Sequence, residues 1–321
     1  MLVLGIESSA HTFGVGIVER GRILANEKSM YKITDKGLVP SKVAETHIAN
    51  AADVISRALS KAGLKIGDIE GIGYTKGPGM GPCLQVGEIT AKAIANRLGC
   101  NIAQVNHGAA HIAITKAMTK MQDPLVLYVS GGNSQILRLA GSTYKVLGET
   151  FDMGVGNMID SFAREIGLNP AWGSTVAKYA QQGRYIKLPY TVKGMDFAFT
   201  GLLTSAIKLK GGAKVEDLCY SIQETAFAML CEATERALLL TGSDELCVCG
   251  GVAQSTRLQE MLGIMAKSHG ARFGCAANEF NADNGAMIAY VAERMLVKGL
   301  GTPLAKCTIE QRYRIDRAVV V

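Results

Sequence analysis

Nowhere in the 321 residues do about 20 apolar residues run together, the length that a membrane-spanning helix needs. The eight cysteines, Cys83, Cys100, Cys219, Cys231, Cys247, Cys249, Cys275 and Cys307, contain no Cys-x-x-Cys pair. That spacing argues against a zinc knuckle or a thioredoxin-type redox motif, and scattered thiols in a long chain fit a reducing compartment. Low-complexity linkers are absent. The first residues, Met1-Leu2-Val3-Leu4-Gly5-Ile6-Glu7, have neither the basic nor the long apolar region of a secretory signal, so a cytoplasmic location is expected. Hydrophobic residues make up 48% and charged ones 19%, which excludes a disordered chain and a coiled coil. An excess of 34 Lys and Arg over 28 Asp and Glu permits a basic groove for a polyanion without requiring one.

At roughly 150 residues per domain the length predicts about two domains. Residues 3–6 read as a strand, 7–12 as a polar turn, and 13–18 as a second strand in which Val15 and Ile17 alternate with glycines. The pattern returns near residue 125: a strand over 125–129, the turn Ser130-Gly131-Gly132-Asn133, and a strand over 135–139. Each hairpin is followed by a further short strand and then a helix-length segment, 44–62 in the first half and 157–166 in the second. Two α/β lobes follow, with the N-terminal lobe over 1–122, rejoined by 300–321, and the C-terminal lobe over 123–299. A third glycine site, Gly250-Gly251-Val252-Ala253, comes after the apolar strand 245–249 and before a helix near 257–267. Cys247 and Cys249 alternate inside that strand and read as core thiols on one face.

His107 and His111 stand at i and i+4, so a helix places both on one face, within reach of one metal ion; a coincidence of surface histidines gives the same spacing. Asp283, in Ala282-Asp283-Asn284-Gly285 just before an apolar helix, is either a third ligand or an N-cap. The Ser130–Asn133 turn offers amides unshielded by Cβ atoms, as phosphate binding requires, or is a plain tight hairpin. Gly154 and Gly156 precede a helix N-terminus, where free amides favour an anion. Asp160, one turn in, reads as a ribose acceptor or as a first-turn acid. Glu45 and His47 read as solvated helix residues.

Taken in order, these segments resemble a known family. They are Gly5-Ile6-Glu7, Lys76-Gly77-Pro78-Gly79-Met80-Gly81-Pro82, Asn106-His107 to His111, Tyr128-Val129-Ser130-Gly131-Gly132-Asn133, Gly194-Met195-Asp196, Phe199-Thr200-Gly201, Ser221-Ile222-Gln223-Glu224-Thr225, Gly250-Gly251-Val252-Ala253 and Asp283-Asn284-Gly285-Ala286. The combination is similar to the universal tRNA threonylcarbamoyltransferases, across essentially the whole chain, with an archaeal flavour in 188–196 and 311–316. The resemblance implies an α/β, actin-like ATPase or sugar-kinase (ASKHA) fold with a nucleotide cleft between duplicated lobes. It implies one iron or zinc ion on His107, His111 and Asp283, with Tyr128 as a further ligand. Tyr128, Val129, Ser130, Gly131, Gly132, Asp160, Gly173 and Ser255 would line the adenine nucleotide site, with magnesium as an accompanying ion. The substrate would be threonylcarbamoyl-AMP, with ATP or ADP able to occupy the same site. The group would pass to N6 of the adenosine beside the anticodon in tRNAs that read codons starting with A. The partners implied are the KEOPS subunits: a small dimerising protein on the N-terminal lobe and a small atypical kinase, either separate or fused to this chain in the native gene.

The chain departs from the family pattern at three places. Ala177 stands where a ribose-binding glutamate is usual, Trp172 at a glycine position, and Ser255 where an asparagine follows the glycine loop; weaker nucleotide binding is expected. These losses motivate a rival reading, a nucleotide-binding scaffold with impaired turnover. A metallopeptidase, an early label for the family, lacks support because Gly108 follows the first histidine where an HExxH general base would stand.

Overall fold

A computed structural model describes residues 1–32 and 38–321. Its strands are β1 (Leu2–Glu7), β2 (Thr12–Glu19), β3 (Arg22–Met30), β4 (Gly71–Gly77), β5 (Asn101–Asn106), β6 (Leu125–Val129), β7 (Ser134–Ala140), β8 (Thr143–Glu149), β9 (Val192–Lys193), β10 (Asp196–Phe197), β11 (Glu245–Cys249) and β12 (Arg272–Cys275). Its helices are α1 (Pro40–Ala62), α2 (Gly81–Leu98), α3 (His107–Thr119), α4 (Val155–Glu165), α5 (Gly173–Ala180), α6 (Thr200–Lys208), α7 (Val215–Thr241), α8 (Thr256–Ser268), α9 (Asn278–Asn281) and α10 (Gly285–Val297).

The chain divides into two units, one of residues 1–114, 141–144 and 282–321, the other of 115–140 and 145–281. The returning C-terminal segment therefore begins at 282 rather than 300, and α10 belongs to the first unit rather than to a C-terminal lobe over 123–299. Glycines explain this. A Cβ on Gly5 of β1 would lie 2.1 Å from the Ala289 nitrogen, and one on Gly16 of β2 would lie 2.2 Å from that of Ala286. Without side chains between them, α10 lies directly on the sheet, so the small residues of the first hairpin serve helix packing.

The first unit holds a five-stranded sheet in the order β3-β2-β1-β4-β5. β1, β2 and β3 form an antiparallel meander, and β4 runs parallel to both β1 and β5. A core of Leu4, Ile6, Phe13, Val15, Ile17, Val54 and Ile72 is sealed by α1 and α2. The second unit repeats the plan in its own sheet, ordered β12-β11-β6-β7-β8, with β6 and β7 antiparallel and β11 parallel to β6 and β12. Its separate core includes Leu127, Phe162, Phe197, Phe199, Ile222 and Leu230. Cys247 and Cys249 are fully buried in β11, and burial pushes the Cys247 thiol up to about 12, as befits core thiols. No helix among the described residues is long and apolar enough to cross a membrane.

Candidate metal centre

Parallel strands deliver side chains to their C-terminal ends, and in the first unit β1 ends in Glu7, β4 passes through Thr75, and β5 runs directly into α3 at His107. The Asn106 side chain accepts the Ala109 N–H at 3.0 Å and starts the helix. One turn on, His111 falls on the same face, with ring centroids 4.7 Å apart and the rings nearly perpendicular at 86°. Both imidazoles are buried.

Asp283 completes the cluster because its neighbour does the capping. Asn284 is the N-cap of α10, its Oδ1 accepting the Met287 N–H at 3.0 Å. Asp283 therefore projects its carboxylate to the histidines, with Oδ1 3.4 Å from His111 Nε2 and 3.5 Å from His107 Nε2. One ligand atom from each of the three lies within 4.8 Å of the others. Two nitrogens and a carboxylate oxygen suit iron or zinc and leave coordination positions open. Asp283 keeps 17% side-chain exposure, against 8% and 0% for His107 and His111, so the centre opens on the aspartate side.

A fourth group, missed from the sequence, stands behind the first histidine. Glu7 is fully buried, and its Oε2 lies 2.9 Å from His107 Nδ1. Glu7 and Asp283 together place two negative charges in a buried site whose other members are imidazoles, a charge set that fits a divalent cation. Burial alone works against protonation of His107, but Glu7 and Asp283 raise it to about 9. Burial likewise works against ionisation of Glu7, yet His107 holds the carboxyl below its ordinary value. Burial lowers His111. The one signal in the sequence was a glutamate closing an otherwise apolar strand.

In the second unit, Ser130 and Asn133 close the β6–β7 turn on itself: the Ser130 N–H donates to the Asn133 carbonyl at 2.7 Å, and the Asn133 N–H to Ser130 Oγ at 3.0 Å. The Gly131 and Gly132 N–H groups make no hydrogen bond among the described residues. Free amides were also expected at the start of α4, and there the structure differs. The Val155 N–H donates to Ser134 Oγ, Gly156 to the Ser130 carbonyl and Asn157 to the Gly131 carbonyl. Gly154 and Gly156 are small because the turn packs on them, a Cβ on Gly154 falling 2.3 Å from the Gly131 oxygen.

Asp160 and Gly173 meet, Asp160 Oδ1 accepting the Gly173 N–H at 2.9 Å at the start of α5, where Trp172 is the N-cap residue and 43% exposed. Ser255 is the N-cap of α8, accepting from Leu258 N–H. Tyr128 and Val129 are buried at the end of β6. Of the residues read as solvated, Glu45 is exposed and pairs with Lys42 at 2.9 Å, whereas His47 is buried with Nε2 2.9 Å from the Ala10 carbonyl. α1 lies against β2, which turns that histidine inward.

Comparison with known proteins decides the family. The model of the tRNA N6-adenosine threonylcarbamoyltransferases matches residues 20–290. The chain belongs to that family. A tRNA N6-adenosine threonylcarbamoyltransferase of Thermococcus sibiricus is 46% identical, covering all of this chain and 99% of that protein. A probable bifunctional tRNA threonylcarbamoyladenosine biosynthesis protein of Thermoplasma acidophilum is also 46% identical, over 98% of this chain but 60% of its own length. The enzyme is thus an acyltransferase acting on N6 of adenosine in tRNA, in threonylcarbamoyladenosine synthesis. Among solved structures, Thermococcus kodakarensis HypF superposes with TM-score 0.66 at 16% identity, over 93% of this chain and 48% of that one. The activator of the 2-hydroxyisocaproyl-CoA dehydratase from Clostridium difficile does so with 0.58 at 14%, over 93% and 97%. These likenesses bear on fold alone and agree with the expected actin-like ATPase class.

Proposed function

We propose that the transferase works through one divalent ion, iron or zinc, held by His107, His111 and Asp283. The observation that carries this reading is the set of two imidazoles and two carboxylates, most exposed at Asp283. Bound there, the ion supplies a positive charge that polarises the carbonyl of the threonylcarbamoyl donor. The tRNA adenosine N6 forms a bond to that carbon, the bond from carbon to the AMP phosphate oxygen breaks, and one proton passes from N6 to solvent water. AMP leaves.

For the donor, threonylcarbamoyl-AMP, the Gly131 and Gly132 amides are two unspent donors suited to phosphate oxygens. Tyr128, Val129, Ser130, Asp160, Gly173 and Ser255 complete the nucleotide site in this reading, with magnesium accompanying ATP or ADP. Asp160 and Ser255 already accept backbone N–H groups, so their part is to hold the starts of α5 and α8 around the nucleotide. Function in a cytoplasmic KEOPS assembly, beside a small dimerising subunit and a small kinase, completes the proposal; the longer Thermoplasma relatives, whose name is bifunctional, support a second activity working beside this one.

The test is metal content. Purified chain is expected to carry about one ion, and the double variant His107→Ala, His111→Ala none; unchanged content in that variant, measured by plasma mass spectrometry, overturns the assignment.

A further inference from the structure

Glu7 is a costly residue to bury. It is fully enclosed, and among the described residues neither Lys nor Arg touches it. Its partners are the Ser9 N–H on Oε1 at 2.6 Å, the Thr75 hydroxyl on Oε2 at 2.7 Å, and His107 Nδ1 on Oε2 at 2.9 Å. An uncompensated buried carboxylate destabilises a fold. Among these partners only the His107 imidazole can carry positive charge, and its Nε2 faces a second carboxylate, Asp283.

We propose that Glu7 is the positioning residue of the metal centre: by accepting from Nδ1–H it holds His107 as the tautomer whose Nε2 lone pair faces Asp283 and His111. The inference rests on the metal reading above and adds to it the residue that orients one ligand. A histidine donates from one ring nitrogen and coordinates through the other, so an acceptor fixed behind Nδ1 decides which nitrogen meets the ion. Ser9 Oγ, 3.2 Å from Nδ1, cannot impose this choice, because a hydroxyl either donates or accepts. A carboxylate only accepts.

Glu7→Gln separates this role from packing. The Ser9 N–H can only donate, so the glutamine carbonyl must take the place of Oε1, and its NH2 then falls where Oε2 stood. That NH2 donates to His107 Nδ1 and forces the proton onto Nε2, removing the lone pair. The Thr75 hydroxyl turns to the Ile6 carbonyl, already 3.3 Å away, and accepts from the new amide. Shape is conserved while the tautomer is inverted.

Zinc is the probe, with the full chain. Glu7→Gln is expected to bind zinc about 10–100-fold more weakly, with the melting temperature of the metal-free protein kept or raised. A role in packing alone would lower it. Wild-type zinc affinity in Glu7→Gln overturns the proposal, provided that the His107→Ala, His111→Ala variant has lost the ion; if that variant still binds normally, the metal reading itself has failed. A second measurement needs no variant. Nitrogen-15 histidine spectra of the zinc-loaded wild-type chain should show His107 protonated at Nδ1 and coordinated through Nε2, and coordination through Nδ1 would refute the proposal.

Discussion

Asp283 and Asn284 divide two tasks that a sequence could assign to either. Asn284→Ala removes the cap of α10 and should cost about 1 kcal/mol of stability while retaining the ion. Asp283→Asn should keep the cap of α10 and lose the ion. Denaturant unfolding and metal analysis on the two variants check the division. Asp152 shows another carboxylate committed to backbone. Burial opposes its ionisation, but the N–H groups of Phe199, Thr200 and Met153 lower it to about 2. A depressed carboxyl stabilises the fold above its unfolded value near 3.8 and loses that contribution as pH falls towards 2. The melting-temperature gap between wild type and Asp152→Asn should therefore be full at pH 6 and shrink below pH 4; a gap unchanged at pH 2.5 would show that the bonds do not depend on charge.

At the scale of elements, α10 couples the core of the first unit to the metal centre, because Asp283 stands two residues before it. Gly16→Ala would set a methyl 2.2 Å from the Ala286 nitrogen, and the helix must move. Such overpacking costs about 1–3 kcal/mol, and displacement of Asp283 should weaken metal binding in the same variant. Gly67→Ala, with nothing within 4 Å of the added Cβ, is the control expected to change neither. Unfolding curves and a metal titration on both variants test this, and a destabilised Gly16→Ala with full metal affinity would uncouple helix and centre.

For the whole molecule, a net charge of +6 over 321 residues is modest for a protein that must hold tRNA. The isolated chain is expected to modify tRNA slowly at moderate salt, and addition of the small dimerising subunit to raise the rate. Initial rates of incorporation with and without that subunit measure this, and full activity from the chain alone would defeat it. The Thermoplasma relatives, of which this chain spans about 60%, are 45% and 46% identical to it over that part and are longer proteins.

Much of this was legible along the chain. Strand periodicity located β1, β2, β6, β7 and β11, and the i, i+4 spacing of His107 and His111 survived because both lie on one helix, where sequence separation sets distance. Asp283 stayed ambiguous, since a carboxylate before a helix is equally a cap; only the seating of Asn284 released it. The amides of α4 looked free, and were not, because their acceptors Ser134, Ser130 and Gly131 come from another hairpin. His47 looked exposed until α1 turned it against Ala10. Glu7 reaches His107 across 100 residues of chain. Local pattern determines which element a residue joins. Which hydrogen-bonding groups remain unspent, and which charges meet in a buried space, depends on contacts between distant segments, and these exist only once the sheet has brought its strand ends together.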